Sequence, residues 1–196
     1  MVFTQDELPE VIHYLEDNQD ILNLGILLMF KTGLRIGELA GLKKCDVEQN
    51  VIHVQRTEIS YEAENGKRVY EVRDFPKTEA GIRDVFIPDN CIWILRKIRN
   101  ISPFGEYVFE RNGERIRTYI FRNRLGTVCK RTNVVSKSPH KIRKTYGSIL
   151  IDSGLEESLI ISQMGHTNIK TTKNHYYNNR KNNLQKLEAI NSVMGV

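Results

Sequence analysis

Thr32-Gly33-Leu34-Arg35-Ile36-Gly37-Glu38-Leu39 closes one helix and opens another. Upstream, Ile21 to Thr32 is expected to be helical, with Gly33 as its stop. Its Leu22, Leu24, Leu27, Leu28 and Met29 belong in a core. Downstream, a short helix is expected from near Arg35 through Leu42. Glu38 then sits one turn after Arg35, where it can orient that guanidinium. Further upstream, Thr4 and Glu7 make a capping box, which predicts a first helix from there to about Asp17.

Beyond a turn at residues 46–50 the pattern changes to strand. Val51 to Arg56 alternates, a second strand fits Arg68 to Val72 and a third Ile82 to Ile87. Asn65-Gly66 and Glu79-Ala80-Gly81 mark the turns between them. Helices return after Pro88, over residues 90–99, 116–132, 139–151, 156–164, 169–177 and 182–193. Pro139 suits the first turn of its helix. The expected fold class is therefore α+β: a mostly helical single domain with a small three-stranded antiparallel sheet.

A chain of 196 residues, 40% of them hydrophobic, can bury a core. The net charge of +5 hides an asymmetry. Residues 111–144 hold eleven lysines and arginines against one acid, Glu114, which leaves the remainder net negative. Such concentration favours a polyanionic partner, and nucleic acid before others. The three cysteines, Cys45, Cys91 and Cys129, are far apart and form no CxxC pair, so neither a disulfide framework nor a zinc site is expected. The first residues do not read as a signal peptide, and the longest apolar run, Leu24 to Phe30, is too short to span a bilayer. These features point to a cytoplasmic protein.

Chemistry concentrates toward the C-terminus in Pro139-His140-Lys141-Ile142-Arg143, Gly165-His166 and Tyr176. Metal-free cleavage of a phosphodiester needs cationic donors on the non-bridging oxygens, a nucleophile with a base, and an acid for the leaving oxygen. Arginine grips phosphate through paired hydrogen bonds. A tyrosine hydroxyl, neutral at pH 7 with a pKa of about 10, can attack phosphorus once deprotonated. Arg35 and Arg143 form the candidate clamp. His140 lies three residues before Arg143, on the same helical face. Each of these residues alone has an ordinary reading: a surface arginine, a solvated glutamate, a capping histidine, a packing tyrosine. Their combination and order do not.

On these motifs the chain resembles the catalytic domain of the tyrosine recombinases, which include phage and transposon integrases and the recombinases that resolve chromosome dimers. The likeness runs from near Phe3 to the C-terminus, through the box at Thr32–Leu39, the box at Pro139–Arg143, and Met164-Gly165-His166-Thr167-Asn168-Ile169 leading to Tyr176. The resemblance implies that Tyr176 attacks the scissile phosphate to form a 3′-phosphotyrosyl link. It further implies that Arg35, Arg143 and His166 hold the phosphate oxygens, that His140 takes the tyrosine proton or bonds the phosphate, and that Glu38 supports the site. The family also uses a lysine in a β-hairpin turn. Spacing alone leaves Lys67 and Lys77 both open; the resemblance selects Lys77, in Pro76-Lys77-Thr78, as the acid for the leaving 5′-oxygen. Tyr177 adjoins Tyr176, and the ten residues from His166 favour Tyr176.

The same resemblance implies double-stranded DNA as partner and a homotetramer on paired sites, monomeric when free. It implies no metal, no ATP and no other cofactor. Many relatives carry a separate N-terminal DNA-binding domain, so 1–196 is expected to be the catalytic domain alone. Arg111, Arg115, Arg117, Arg122, Arg124, Lys130, Arg131, Lys137, Lys141 and Lys144 are the candidate DNA contacts. Two other readings stay open: a type IB topoisomerase-like enzyme, and a DNA-binding module without cleavage.

Overall fold

Helix α2 (Ile21–Thr32) is the axis around which the other helices assemble. The computed structural model describes residues 2–74, 82–165, Arg180 and Gln185. Of the twelve residues in α2, only Lys31 escapes full burial, so the helix is apolar on nearly every side and is enclosed by its neighbours. Each fully buried leucine contributes roughly 1.5–3 kcal/mol. The Asp20 carboxylate caps its start by accepting from the amides of Leu22 and Asn23 at 2.9 and 3.0 Å. Gly33 ends it in the left-handed conformation at φ 68°. A Cβ at Gly33 would lie 2.3 Å from the Tyr146 ring, so both conformation and space require glycine.

Helices α1 (Glu7–Asp17), α4 (Ile92–Ile101), α5 (Thr118–Arg131) and α6 (Pro139–Asp152) pack against α2. Short helix α3 (Ile36–Gly41) follows α2, and α7 (Glu157–Met164) packs on α6. The expected capping box is present: Thr4 N–H donates to Glu7 at 2.9 Å, and Glu7 N–H donates to the Thr4 hydroxyl at 3.2 Å. The expected helices over 169–177 and 182–193 lie outside the described residues, Gln185 apart.

The expected strands exist, but their pairing differs. Strands β1 (Val47–Glu48), β2 (Val51–Val54) and β5 (Arg83–Phe86) form a three-stranded antiparallel sheet in the order β1-β2-β5. Strands β3 (Arg56–Glu62) and β4 (Arg68–Asp74) form a separate hairpin. The run beginning at Val51 changes partner at Gln55: Val54 pairs with Arg83, whereas Arg56 pairs with Asp74. Residues 68–74 therefore never join β2. A further hairpin, β6 (Glu110–Arg111) and β7 (Glu114–Arg115), turns through Asn112 and Gly113, both at positive φ. Its two-residue strands are too short for an alternating pattern to reveal.

Among the described residues no helix is long and apolar enough to cross a membrane.

Candidate active site

Two buried carboxylates, Glu58 on β3 and Glu38 on α3 itself, fix helix α3. On one face Gly37 lies against β3, where a Cβ would meet the Thr57 hydroxyl at 2.5 Å and the Glu58 carbonyl at 2.7 Å. Glu58 accepts from the Thr118 amide at 2.8 Å and pairs with Arg115, so β3 is joined to the start of α5. Glu38, the residue of α3 next to Gly37, has its side chain 2% exposed and meets two arginines. Its Oε1 accepts from Arg35 Nη1 at 2.6 Å and Arg83 Nη1 at 3.0 Å. Its Oε2 accepts from the Arg35 amide at 2.8 Å and Arg83 Nη2 at 2.9 Å. Burial opposes the Glu38 charge, but Arg83 first, then Arg35 and the nearby Arg143, outweigh it and hold the carboxyl down at about 2.

Arg143 is 1% exposed and reaches across two helix ends. Its Nη1 donates to the Gly33 carbonyl at 2.7 Å, where α2 stops, and its Nη2 donates to the Met164 carbonyl, where α7 stops. Both are C-terminal ends, where unsatisfied carbonyls favour a cation. Arg35 Nη2 approaches the next carbonyl, Gly165, at 3.4 Å, and the Arg35 side chain stays 40% exposed. Arg35, Glu38 and Arg143, predicted from two distant motifs, are thus brought together. Two turn glycines make this possible: Gly33 and Gly165 both adopt positive φ, at 68° and 57°.

His140 stands in the first turn of α6, one turn before Arg143 and partly open to solvent. Partial burial first, then the positive charges of Lys144, Arg143, Lys141 and Arg35, hold its imidazole below the ordinary range. This favours the neutral imidazole, the form that can accept a proton. Lys77, His166 and Tyr176 lie outside the described residues. Lys67 sits in the exposed turn between β3 and β4, about 20 Å of strand from Asp74 at the other end of the hairpin.

The basic segment divides. Arg111, Arg117, Arg122, Lys130 and Arg131 are exposed, and Lys141 and Lys144 are half-buried beside His140. Arg117 lies over the Tyr70 ring at 5.5 Å. Arg115 is committed to Glu58, Lys137 to Glu7 at 2.6 Å, and Arg124 to Asp20. The Lys137 side chain is only 6% exposed, and its Nζ lies over Phe3. Arg115 and Lys137 are spent inside the protein, which removes them from the surface open to a polyanion, whereas the Arg124 pair lies at the surface.

Arg83 and Gln163 escaped the sequence reading. In β5 and the residue after it, Val85 and Ile87 face inward, and a strand alternates with period two. Arg83 shares their parity, so a charged residue occupies an inward position. That mismatch was the available signal.

The profile of the phage integrase family matches residues 1–183. The chain is 31% identical to a XerC-like tyrosine recombinase of Caldanaerobacter subterraneus, over 89% of this chain and 49% of that protein. It is 24% identical to the ICEBs1 integrase of Bacillus subtilis, over 90% and 50% of the two. The chain thus spans about half the length of these relatives. Among solved structures, the Tn1549 transposon integrase in complex with transposon right end DNA superposes at a TM-score of 0.74 and 20% identity, over 100% of this chain and 66% of that one. The XerA recombinase superposes at 0.72 and 20% identity, over 99% and 65%. At such identity the superpositions establish the fold.

Proposed function

This chain belongs to the phage integrase family, and from that premise we propose that residues 1–196 act as one catalytic domain that cleaves and rejoins double-stranded DNA in the cytoplasm. The observation that carries this reading is the cluster around Glu38. Two guanidiniums share one buried carboxylate and a third lies beside them, so the site keeps an excess of positive charge in a partly dehydrated setting. Such preorganised donors suit the charge that develops on a phosphate under attack.

In the proposed reaction the Tyr176 oxygen attacks phosphorus, and the bond from phosphorus to the 5′-oxygen breaks. His140 takes the tyrosine proton, and the leaving 5′-oxygen gains one from Lys77. Lys77 is six residues from Arg83 in sequence, whereas Lys67 belongs to the far hairpin turn, and this supports choosing Lys77. Arg35, Arg143 and His166, which directly follows Gly165, hold the non-bridging oxygens. The phosphotyrosyl link conserves the bond energy, so attack by a 5′-hydroxyl reseals the strand without ATP or metal. Assembly as a tetramer on paired sites belongs to the same proposal.

The test is incubation with a pool of nicked suicide duplexes of randomised sequence, followed by a denaturing gel. Wild type is expected to form a covalent adduct that EDTA does not prevent. Tyr176→Phe should abolish it while retaining DNA binding. Shifted DNA without adduct would reduce the chain to a binding module, and adduct surviving in Tyr176→Phe but not in Tyr177→Phe would move the nucleophile by one.

A further inference from the structure

Gln163, Met164 and Gly165 present three consecutive carbonyls at the end of α7, and three arginines from three parts of the chain take one each. Arg83 Nε donates to Gln163 at 3.1 Å, Arg143 Nη2 to Met164, and Arg35 Nη2 approaches Gly165 at 3.4 Å. Two of these arginines are assigned to phosphate above. We propose that Arg83 is the positioning residue of that phosphate clamp, fixing Arg35 through Glu38 and the end of α7 through Gln163. The proposal rests on reading Arg35 and Arg143 as the clamp.

Each of the three donor nitrogens of Arg83 is engaged within the protein. Its side chain is 5% exposed, against 40% for Arg35. Its planar fork is used on three sides: both Nη atoms on Glu38, at 3.0 and 2.9 Å, and Nε on the Gln163 carbonyl. Lysine, a point donor, cannot reproduce that geometry. The link to α7 is reinforced from the same residue, because the Gln163 amide accepts from Phe86 N–H at 3.2 Å and donates to the Phe86 carbonyl at 2.9 Å. Strand β5 and the end of α7 are therefore held in register at the point where Arg143 and Arg35 meet α7.

Arg83 also sets how much of Arg35 remains for a ligand. A buried carboxylate facing Arg35 alone would take its full charge and draw the guanidinium inward. Sharing both carboxylate oxygens with Arg83 satisfies Glu38 and leaves Arg35 half open. Removal of Arg83 is expected to misplace Arg35 relative to Arg143 without removing any group that touches DNA. A displacement of about 1 Å in such a site can cost on the order of 10²-fold in rate.

The experiment is single-turnover adduct formation on the nicked suicide duplexes with wild type, Arg83→Lys, Arg83→Met, Glu38→Gln and the Arg83→Met/Glu38→Gln double variant. The rate constant at saturating DNA should fall on the order of 10²-fold in both Arg83 variants. The half-saturating DNA concentration and the final adduct fraction should be unchanged, and the double variant should be no slower than its slower parent. A merely structural role gives the opposite split: a normal rate constant, a smaller reactive fraction and a lower thermal midpoint. That result, or full activity of Arg83→Lys, overturns the proposal. Should neither Arg83 variant fold by circular dichroism, Glu38→Gln decides: the same rate loss supports the proposal, and a normal rate overturns it. Absence of adduct from wild type overturns the cleavage reading and this proposal together, whereas an active wild type with unaffected variants overturns only this one.

Discussion

Glu38 and Glu58 are both buried carboxylates met by arginine, one on α3 and one on the strand packed against it, yet their charges are settled differently. Glu58, with its side chain fully enclosed, is balanced by one guanidinium, that of Arg115, and by the Thr118 amide at the positive end of α5. Arg115 is itself held further, on the Ala40 carbonyl at 3.2 Å. Nothing is left over, and the arrangement acts as a joint between β3, α3 and α5. Glu38 is overbalanced by Arg35 and Arg83, with Arg143 close by. A joint works best with its charges cancelled, whereas a site that receives an anion needs charge in reserve.

The sharpest way to break this contrast is to delete the joint. Glu58→Ala leaves Arg115 buried without its anion, and removing one member of a buried pair typically costs about 3–5 kcal/mol. Urea unfolding should show a loss of that size, while the adduct rate constant of the molecules that remain folded is unchanged. Glu58→Gln retains an acceptor for Thr118 and should recover part of the loss. A Glu58→Ala protein of normal stability with a depressed rate constant would mean that the joint belongs to the site.

The complementary change is at Arg143. Its truncation to Ala should lower cleavage by roughly 10²–10³-fold, the effect of losing one oxyanion donor. Arg143→Lys should restore little, because lysine lacks the fork that spans the Gly33 and Met164 carbonyls. Single-turnover adduct formation measures both, and a fully active Arg143→Ala would remove this residue from the clamp.

Much of the site's shape was readable from local patterns. Gly33 as a helix stop, α2 as a buried helix and Glu38 as the partner of Arg35 all follow from spacing within one or two turns. What stayed hidden depends on pairing between distant segments. The switch of partner at Gln55 leaves no mark in an alternating run, because either neighbour satisfies the same pattern. Arg83 looked like an ordinary strand residue until Glu38, 45 positions away, gave it a reason to point inward. Arg115 and Lys137 counted as free cations in the sequence because their acids, Glu58 and Glu7, are distant along the chain.

The charge of Glu38 can also be probed with acid. The Glu38 carboxyl is held at about 2 in the folded protein against 4.5 as its ordinary value. A group depressed by folding contributes stability that is complete above its unfolded value and is lost as pH falls toward the folded one. Stability should therefore decline between about pH 4.5 and 2, with Glu38 accounting for on the order of 3 kcal/mol of that limb. Glu38→Gln should flatten the limb in thermal melts taken across this range. An identical acid limb in the variant would show that the arginines do not stabilise the Glu38 charge as described.

The smallest effect tests the same division between spent and reserved charge over the wider basic segment. Arg122, Lys130 and Arg131 on α5 are exposed, whereas Arg115 and Lys137 are tied to internal carboxylates. A cation that contacts a DNA phosphate displaces counterions, and each such contact adds about 0.9 to the slope of log affinity against log salt. Changing Arg122, Lys130 or Arg131 singly to Gln should reduce the slope by about one where the residue contacts phosphate. Lys137→Gln should leave the slope unchanged and instead loosen the Thr4–Glu7 cap, which Lys137 anchors from the far side of Glu7. Fluorescence anisotropy titrations at several salt concentrations provide the measurement. If the exposed three give wild-type slopes while Lys137→Gln lowers it, the assignment of internal and available cations is reversed, and the basic segment of α5 is only a solvated face.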